Sequence, residues 1–444
     1  MEILFSGERA FRHLKKLTVG LGHRPAGSDE ERKAASYIKG EFEKYGLVST
    51  YQNVPITTYR PKLGRLQVLE PKLGEVPCEV VGLCAPTPAR GVVGELRFVE
   101  TGDEEYLSGN LKGKILLIIG PVRYPKYGRL MKMRPRGLII MESEVGKPPS
   151  RVEILPEWRK RFGGAPMLRI SLEDGLRLLK ENSKVVKIEA DFSERKGRSA
   201  NVIGELTGRR IPEEIAIIGG HYDSSPGVQG ASDNASGTAI VLELARVFST
   251  HGSARTLRFV AWGAEELGLR GSVHYARQLA RMAARHGGRM ASEDAKKPTE
   301  LEKHRLCVNL DVHGIIVGKN RASILGPQDL ISSVRLLSKE RGPAIEVVED
   351  VHSSDSTALS KIGVPSISFT RHECTAVYLH TPLDKIDYLD AEHLQMYGEF
   401  VEVWLKRHVA DALSFPFERT IPDPHRKKIE DYFTNRLGVT LEAT

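Results

Sequence analysis

The sequence predicts an α/β protein in which a mixed central β-sheet is flanked by helices and interrupted by an inserted β-rich domain. Three observations carry this expectation. After Asn201 the chain alternates strand, loop and helix, the rhythm of a largely parallel or mixed sheet covered on both faces. From about residue 66 to 192 the texture shifts to short β-rich runs separated by Gly and Pro. At 444 residues the chain exceeds what one ordinary core needs, so two domains or one enlarged domain are expected.

Phe11, Leu14 and Leu17 recur at helical spacing and open the chain with a helix. Ser28 with Glu31 reads as a capping box for a second helix, whose apolar face is Ala35, Ile38 and Phe42 and whose terminator is Gly46. Within the insertion, Val92 to Val99, Lys114 to Ile119 and Leu138 to Met141 read as strands, Ser171 to Leu179 as a helix and Val185 to Ile188 as a closing strand. The run Arg195 to Arg198 reads as a basic linker. Beyond it come strand Glu214 to Ile218, helix Thr238 to Phe248, strand Thr256 to Trp262, a helix past Gly271, strand Leu306 to Leu310 and helix Asp390 to Arg407. Arg281 to Arg305 is expected to end a helix and continue as an exposed loop. The domain boundaries that follow are 1–65 with 193–415 for the main body, 66–192 for the insertion and 416–444 for a C-terminal tail.

Lys plus Arg number 65 against 57 Asp plus Glu, a net charge of +8 spread along the chain, which favours solvated surface over nucleic-acid binding. The four cysteines lack the close pairing of a zinc knuckle or a redox site. Neither a cleavable leader nor an apolar run of the ~18 residues a membrane span needs is evident, so a cytoplasmic protein without membrane partners is expected. GxSxG, P-loop, GxGxxG and CxxC patterns are missing, which removes the minimum chemistry of serine esterases, nucleotide hydrolases and dinucleotide enzymes.

The chemistry collects where strands end. After the strand ending at Ile218 stands GGHYDSSPGVQGASDNASG, with His221, Asp223 and Asp233 in one loop. An imidazole with a carboxylate two residues on suits a metal ligand and the acceptor that fixes its tautomer, although the segment alone fits equally a loop His with two surface Asp. Glu265 and Glu266 follow the next strand. Two adjacent carboxylates there need cations or a shared proton, or else serve a helix start. Asp311 ends a third strand, and YLHTPLDKID brings Tyr378, His380, Thr381 and Asp384. Together these acids and imidazoles suit a carboxylate-rich site for two divalent ions. Of the remaining histidines, His352 and His372 stand out from those expected in surface or packing roles.

At these residues the sequence resembles the co-catalytic zinc aminopeptidase family, whose relatives include glutamate carboxypeptidase II, glutaminyl cyclase and the transferrin receptor. The motifs are RPAGSDEERKAASYIKGEFEKYGL near the start, then HYDS, SDNASG, WGAEELGLRGS, NLD, SDSTAL and HTPLDKID in the family's order. GVVGELRFV, LKGKILLI, RGLIIM and MLRISLEDG look like a protease-associated domain, which in the family shapes substrate access. The resemblance implies that Asp233 bridges two metals, that His221 and Asp311 complete one shell, and that Glu266 and His380 hold the other ion. It further implies that Glu265 is the general base, that Asp223 orients His221 and that a cis peptide follows Asp233. Two departures stand out: Ser356 occupies a position where many members carry His, and Leu379 separates Tyr378 from His380. Oxyanion stabilisation is therefore left among Tyr378, His352 and the metals themselves.

The expected function is metal-dependent exopeptidase action, an aminopeptidase attacking peptides with water bound between two ions, zinc first and cobalt or manganese as alternatives. A carboxypeptidase or dipeptidase on the same centre is the second expectation, and a non-catalytic receptor-like binding protein the third. Peptides are the expected partners, and a homo-oligomer is possible.

Overall fold

The computed structural model describes residues 2–287 and 298–439. Its first helix, Gly7–Lys15, begins at Ser6, and the second, Asp29–Lys44, at Ser28, whose side chain accepts from Glu31 N. The expected capping box is only half present. The Glu31 carboxylate accepts from Gly27 N and from Ser199 Oγ instead of its own cap, because this side chain is buried against a long β-ribbon that carries Ser199.

That ribbon joins the two parts of the molecule. Strand β1 (Val48–Glu70) continues into the short β2 (Gly74–Val76) and β3 (Glu79–Val80), and β4 (Val92–Phe98), β5 (Ile115–Ile119), β6 (Gly137–Met141) and β7 (Met167–Ile170) follow. Strand β8 (Val185–Leu206) then pairs antiparallel with β1 from Val48 opposite Glu205 to Glu70 opposite Val185. The run Arg195 to Arg198 is therefore no linker. It is the middle of a 22-residue strand whose outward side chains meet solvent, so an exposed charged stretch has the composition of a linker while its backbone is fully paired. The insertion departs from a purely β-rich layer as well. Its β4, β5, β6 and β7 lie parallel to one another, with helix Tyr124–Lys132 between β5 and β6, helix Pro156–Phe162 between β6 and β7, and helix Leu172–Lys180 leading from β7 to β8.

The remaining strands are β9 (Ile211–His221), β10 (Arg255–Trp262), β11 (His304–Leu310), β12 (Lys319–Leu325), β13 (Glu346–Val348) and β14 (Ser366–His372). Strand order is β13-β12-β14-β11-β9-β10-β8-β4-β5-β6-β7-β3. Strands β14, β11, β9 and β10 are mutually parallel, so their carboxyl ends open on one side. In β9 Ala216 and Ile218 face one apolar cluster and Ile217 the other, the continuous burial expected of a strand covered on both faces. Helices Ser236–His251, Arg270–Gly287, Gln328–Arg341 and Ala391–Leu405 supply these layers. Part of the exposed loop expected between Arg281 and Arg305 falls on residues 288–297, outside the described residues.

The segment beyond Phe415 is more than a tail. Helix Asp423–Asp431 and the following turn to Leu437 bury Ile429, Tyr432 and Phe433, and Trp158 Nε1 of the insertion donates to Leu437 O at 2.6 Å.

Candidate metal centre

His221 is the last residue of β9, Glu265 and Glu266 follow β10, and Asp311 directly follows β11. His380 lies in the loop after β14. Parallel pairing brings these ends together, and the chain leaves them through strained left-handed turns. Ala264, Val312 and His380 have φ of 56°, 58° and 60°, although none is Gly.

The loop carrying Asp233 is held from several directions. Asp384 accepts from Ser232 N and Oγ with one oxygen, and from Asp233 N at 3.1 Å with the other. Asn234 donates to Leu310 O and accepts from Gly237 N and Val312 N. Gly237 is required by this approach, since a Cβ there would run into Leu310 O and Asn234 Oδ1. The Asp233–Asn234 peptide is cis. Beneath the loop Arg24 is fully buried and donates to the carbonyls of Leu17, Gly22, Tyr222, Gln229 and Gly230, pinning the turn that follows His221.

Asp233 is shared by two donor groups. Its Oδ1 lies 3.0 Å from His221 Nε2 and its Oδ2 lies 3.1 Å from His380 Nε2. Asp311 Oδ1 is 3.5 Å from the His221 Nε2, and Glu266 Oε2 is 3.3 Å from the His380 Nε2. The sets His221, Asp233, Asp311 and Asp233, Glu266, His380 each converge within 4.8 Å. Asp223 faces His221 Nδ1 at 3.5 Å and also accepts from Glu265 N and Glu266 N, so one carboxylate positions the imidazole and the paired acids. Ser225 donates to Glu266 through both N and Oγ.

The electrostatics ask for cations. Desolvation, with Asp233 and Asp223 close by and only partly offset by His380, pushes Glu266 up to about 8. Desolvation and the neighbouring Asp355, Asp311 and Glu266 raise Glu265 well above the usual carboxylate range against the pull of His221. Burial would raise Asp233 too, but the His221 and His380 rings hold it near 2. Asp311 Oδ1 is buried without a hydrogen-bond donor. Converging imidazole nitrogens, an undonated carboxylate oxygen and mutually repelling acids fit divalent cations of borderline type.

The cleft above these residues has a volume of about 450 Å³. His221, Asp233, Glu265, Glu266, Asp311, His352 and His380 line it. His352 Nε2 is 3.4 Å from Asp311 Oδ2. Tyr378 is not brought in: its ring stacks on Tyr388 at 5.7 Å and its carbonyl accepts from Thr381, while Leu379 and His380 reach the cleft. His372 stands 3.8 Å from Glu373, away from the cluster. Asp384, Arg24 and the C-terminal Tyr432 were not assigned roles from sequence. Asp384 and Arg24 lie within the quoted motifs, and Ile429, Tyr432 and Phe433 carry a helical apolar spacing that marks a packed segment.

A binuclear-type donor set at the carboxyl ends of parallel strands, in a cleft between sheet and insertion, defines a metal-dependent hydrolase. Residues 201–405 match the model of peptidase family M28. The chain is 28% identical over 415 residues to aminopeptidase YwaD of Bacillus subtilis, covering 90% of this chain and 84% of that protein. It is 26% identical over 288 residues to human carboxypeptidase Q, spanning 60% of each. Among solved structures, BSAP, a zinc aminopeptidase from Bacillus subtilis, superposes with a TM-score of 0.73 at 26% identity, covering 95% of this chain and all of that one, 100%. A peptidase M28 precursor from Shewanella amazonensis shares the fold with a TM-score of 0.76 at 22% identity, covering 94% of this chain and 95% of that one. Among the described residues no helix is long and apolar enough to cross a membrane.

Proposed function

We propose that the protein is a metal-dependent exopeptidase, an aminopeptidase that removes N-terminal residues from peptides with two divalent ions, zinc in the first instance. The observation that carries this reading is Asp233, whose two oxygens face two different imidazoles and so serve two donor sets at once. In this reading His221, Asp233 and Asp311 hold one ion and Asp233, Glu266 and His380 the other. Such ions supply Lewis acidity and bring the pKa of bound water toward neutrality. Glu265, with Oε2 3.9 Å from His221 Nε2, takes the proton of the attacking water and returns it to the leaving amine. Asp223, 3.5 Å from His221 Nδ1, favours the ring proton on that nitrogen and so leaves the Nε2 lone pair free for a metal. His352 is favoured over Tyr378 for steadying charge on the substrate carbonyl oxygen, because it lines the cleft.

Residues 1–65 and 193–415 form the catalytic domain in this reading, and 66–192 act as a protease-associated domain that walls the cleft through Val152, Glu153 and Trp158. Aminopeptidase action is preferred because the match to YwaD extends over more of that protein than the match to carboxypeptidase Q does.

The test couples metal analysis to cleavage of an unblocked leucine amide, before and after chelation and with N-blocked and C-blocked peptides in parallel. Loss on chelation, recovery with Zn or Co and tolerance of C-terminal blocking are expected. Cleavage of N-blocked peptides alone would move the reading to a carboxypeptidase. A metal-free protein inert to all peptides would move it to a binding protein.

A further inference from the structure

Carboxylates surround the candidate metal centre, and the same cleft is also lined by Arg123 from the insertion and Arg436 from the C-terminal segment. Neither guanidinium has a carboxylate or hydrogen-bond partner among the described residues. Both also border a neighbouring basin where Lys126, Arg129, Lys427 and Lys428 outnumber Asp350 and Asp431.

Their placement is determined by packing. Arg123 immediately precedes helix Tyr124–Lys132 in extended backbone, which puts it beside the positive end of that helix. Arg436 lies over the ring of Tyr432 at 5.6 Å. Tyr432 Oη shares a hydrogen bond of 2.8 Å with Ser353 Oγ, next to His352 at the metal end. Trp158 and Tyr124 anchor the following residues, Leu437 through its carbonyl and Gly438 against the ring face. Two cations from remote parts of the chain thus line one cleft, neither paired with a carboxylate among the described residues. Desolvation together with Arg436 holds Arg123 below the usual guanidinium range. Arg123 is exposed and Arg436 half-buried, so both guanidinium groups stay open to a ligand in the cleft, and their forked donors match a carboxylate.

We infer that Arg123 and Arg436 form a subsite for a substrate carboxylate downstream of the scissile bond. The inference rests on the peptidase reading above. The carboxylate can be the free C-terminus of a short peptide or an acidic side chain near the cleavage point. A peptide of either kind would lie with its reacting end at the acidic centre and its anionic end at the two arginines.

The experiment compares kcat/KM of the metal-loaded full chain on Leu-Gly-Gly and its C-terminal amide, and on Leu-Glu-Gly amide and Leu-Gln-Gly amide. A preference of about tenfold or more for the anionic member of one pair, expressed in KM, is expected. Preference within the first pair identifies the C-terminus as the ligand, and within the second the side chain. In R123Q/R436Q the preference should fall toward unity, and R123K/R436K should restore part of it. Equal values for both pairs in the native chain, or a preference that survives the double substitution, overturns the subsite. If none of the four peptides is cleaved although both metal sites are filled, the peptidase reading fails first and this inference fails with it.

Discussion

The main-chain N–H of Arg151 donates to the carbonyl of His380 at 2.8 Å, so a residue of the insertion holds the backbone of a candidate metal ligand. The same residue sends its guanidinium to Glu79 and to the carbonyl of Gly227, within the loop that follows His221. His380 sits at φ 60°, a conformation that a non-Gly residue keeps only when its surroundings enforce it. The insertion is thereby part of the scaffold of the centre as well as a wall of the cleft.

Removing the Arg151 side chain should loosen metal binding without abolishing the fold. R151A loses a charged pair and a carbonyl contact, and outer-shell changes of this kind cost about 10–100-fold in metal affinity. Calorimetric titration of the apo-protein with Zn should show binding weakened by up to about that factor. Native affinity would show that the main-chain N–H of Arg151, which R151A keeps, is enough to hold His380.

Glu265 and Asp233 should separate by what they lose. E265Q keeps the His221 and His380 sets intact and should retain bound metal while turnover drops by about 10²–10⁴, the usual worth of a general base. D233N removes the carboxylate common to both sets and should lose metal and activity together. Near-native hydrolysis by E265Q would remove that residue from the chemistry.

Asp384 predicts a structural effect. Its carboxylate takes three donors from Ser232 and Asp233. In D384N one acceptor becomes an NH2 facing the Asp233 N–H, leaving a buried donor unsatisfied, for about 1–3 kcal/mol. A lower Tm and weaker metal retention should appear together. An unchanged Tm with lost metal would mean that the loop tolerates the change and that charge alone matters.

These residues were unequally legible before coordinates. His221, Glu265, Glu266 and Asp311 could be read as a group because each ends an apolar strand, and parallel strands put such ends side by side. Asp233 and His380 are candidates from their loops as well, but the bridging role of Asp233 and the pairing of His380 with Glu266 needed the motif resemblance, since those loops have no periodicity to place them. Tyr378 looked as close to the cleft as His380, but a left-handed turn at His380 and stacking on Tyr388 direct the two side chains apart. The middle of β8 read as a linker because exposed ribbon and exposed loop share a composition, and pairing with β1 over more than a hundred intervening residues leaves no local trace. Tyr432 and Arg436 enter the cleft through tertiary docking on Trp158, which a short C-terminal helix does not announce.

Acid stability should depend on two histidines remote from the metal centre. Burial holds His13 down to about 4, against the opposing pull of Glu41, and burial with the Arg258 charge holds His304 down to about 3. His304 is completely enclosed between Glu300 O, Tyr275 Oη and Arg258. In the unfolded chain both rings take up protons near pH 6.5, whereas the folded chain resists until the lower values are reached. Between these limits the unfolded state binds more protons, so stability is fully present above about pH 6.5 and is lost as pH falls toward 3–4. Over the whole interval this amounts to about 3 kcal/mol for His13 and about 5 kcal/mol for His304. Tm measured from pH 7 to 4.5 should fall less steeply in H304Q than in the native chain, because the variant has no proton to exclude at that position. The carboxylates of the metal centre titrate alike in both proteins, so parallel slopes would show that His304 takes no part in the acid response.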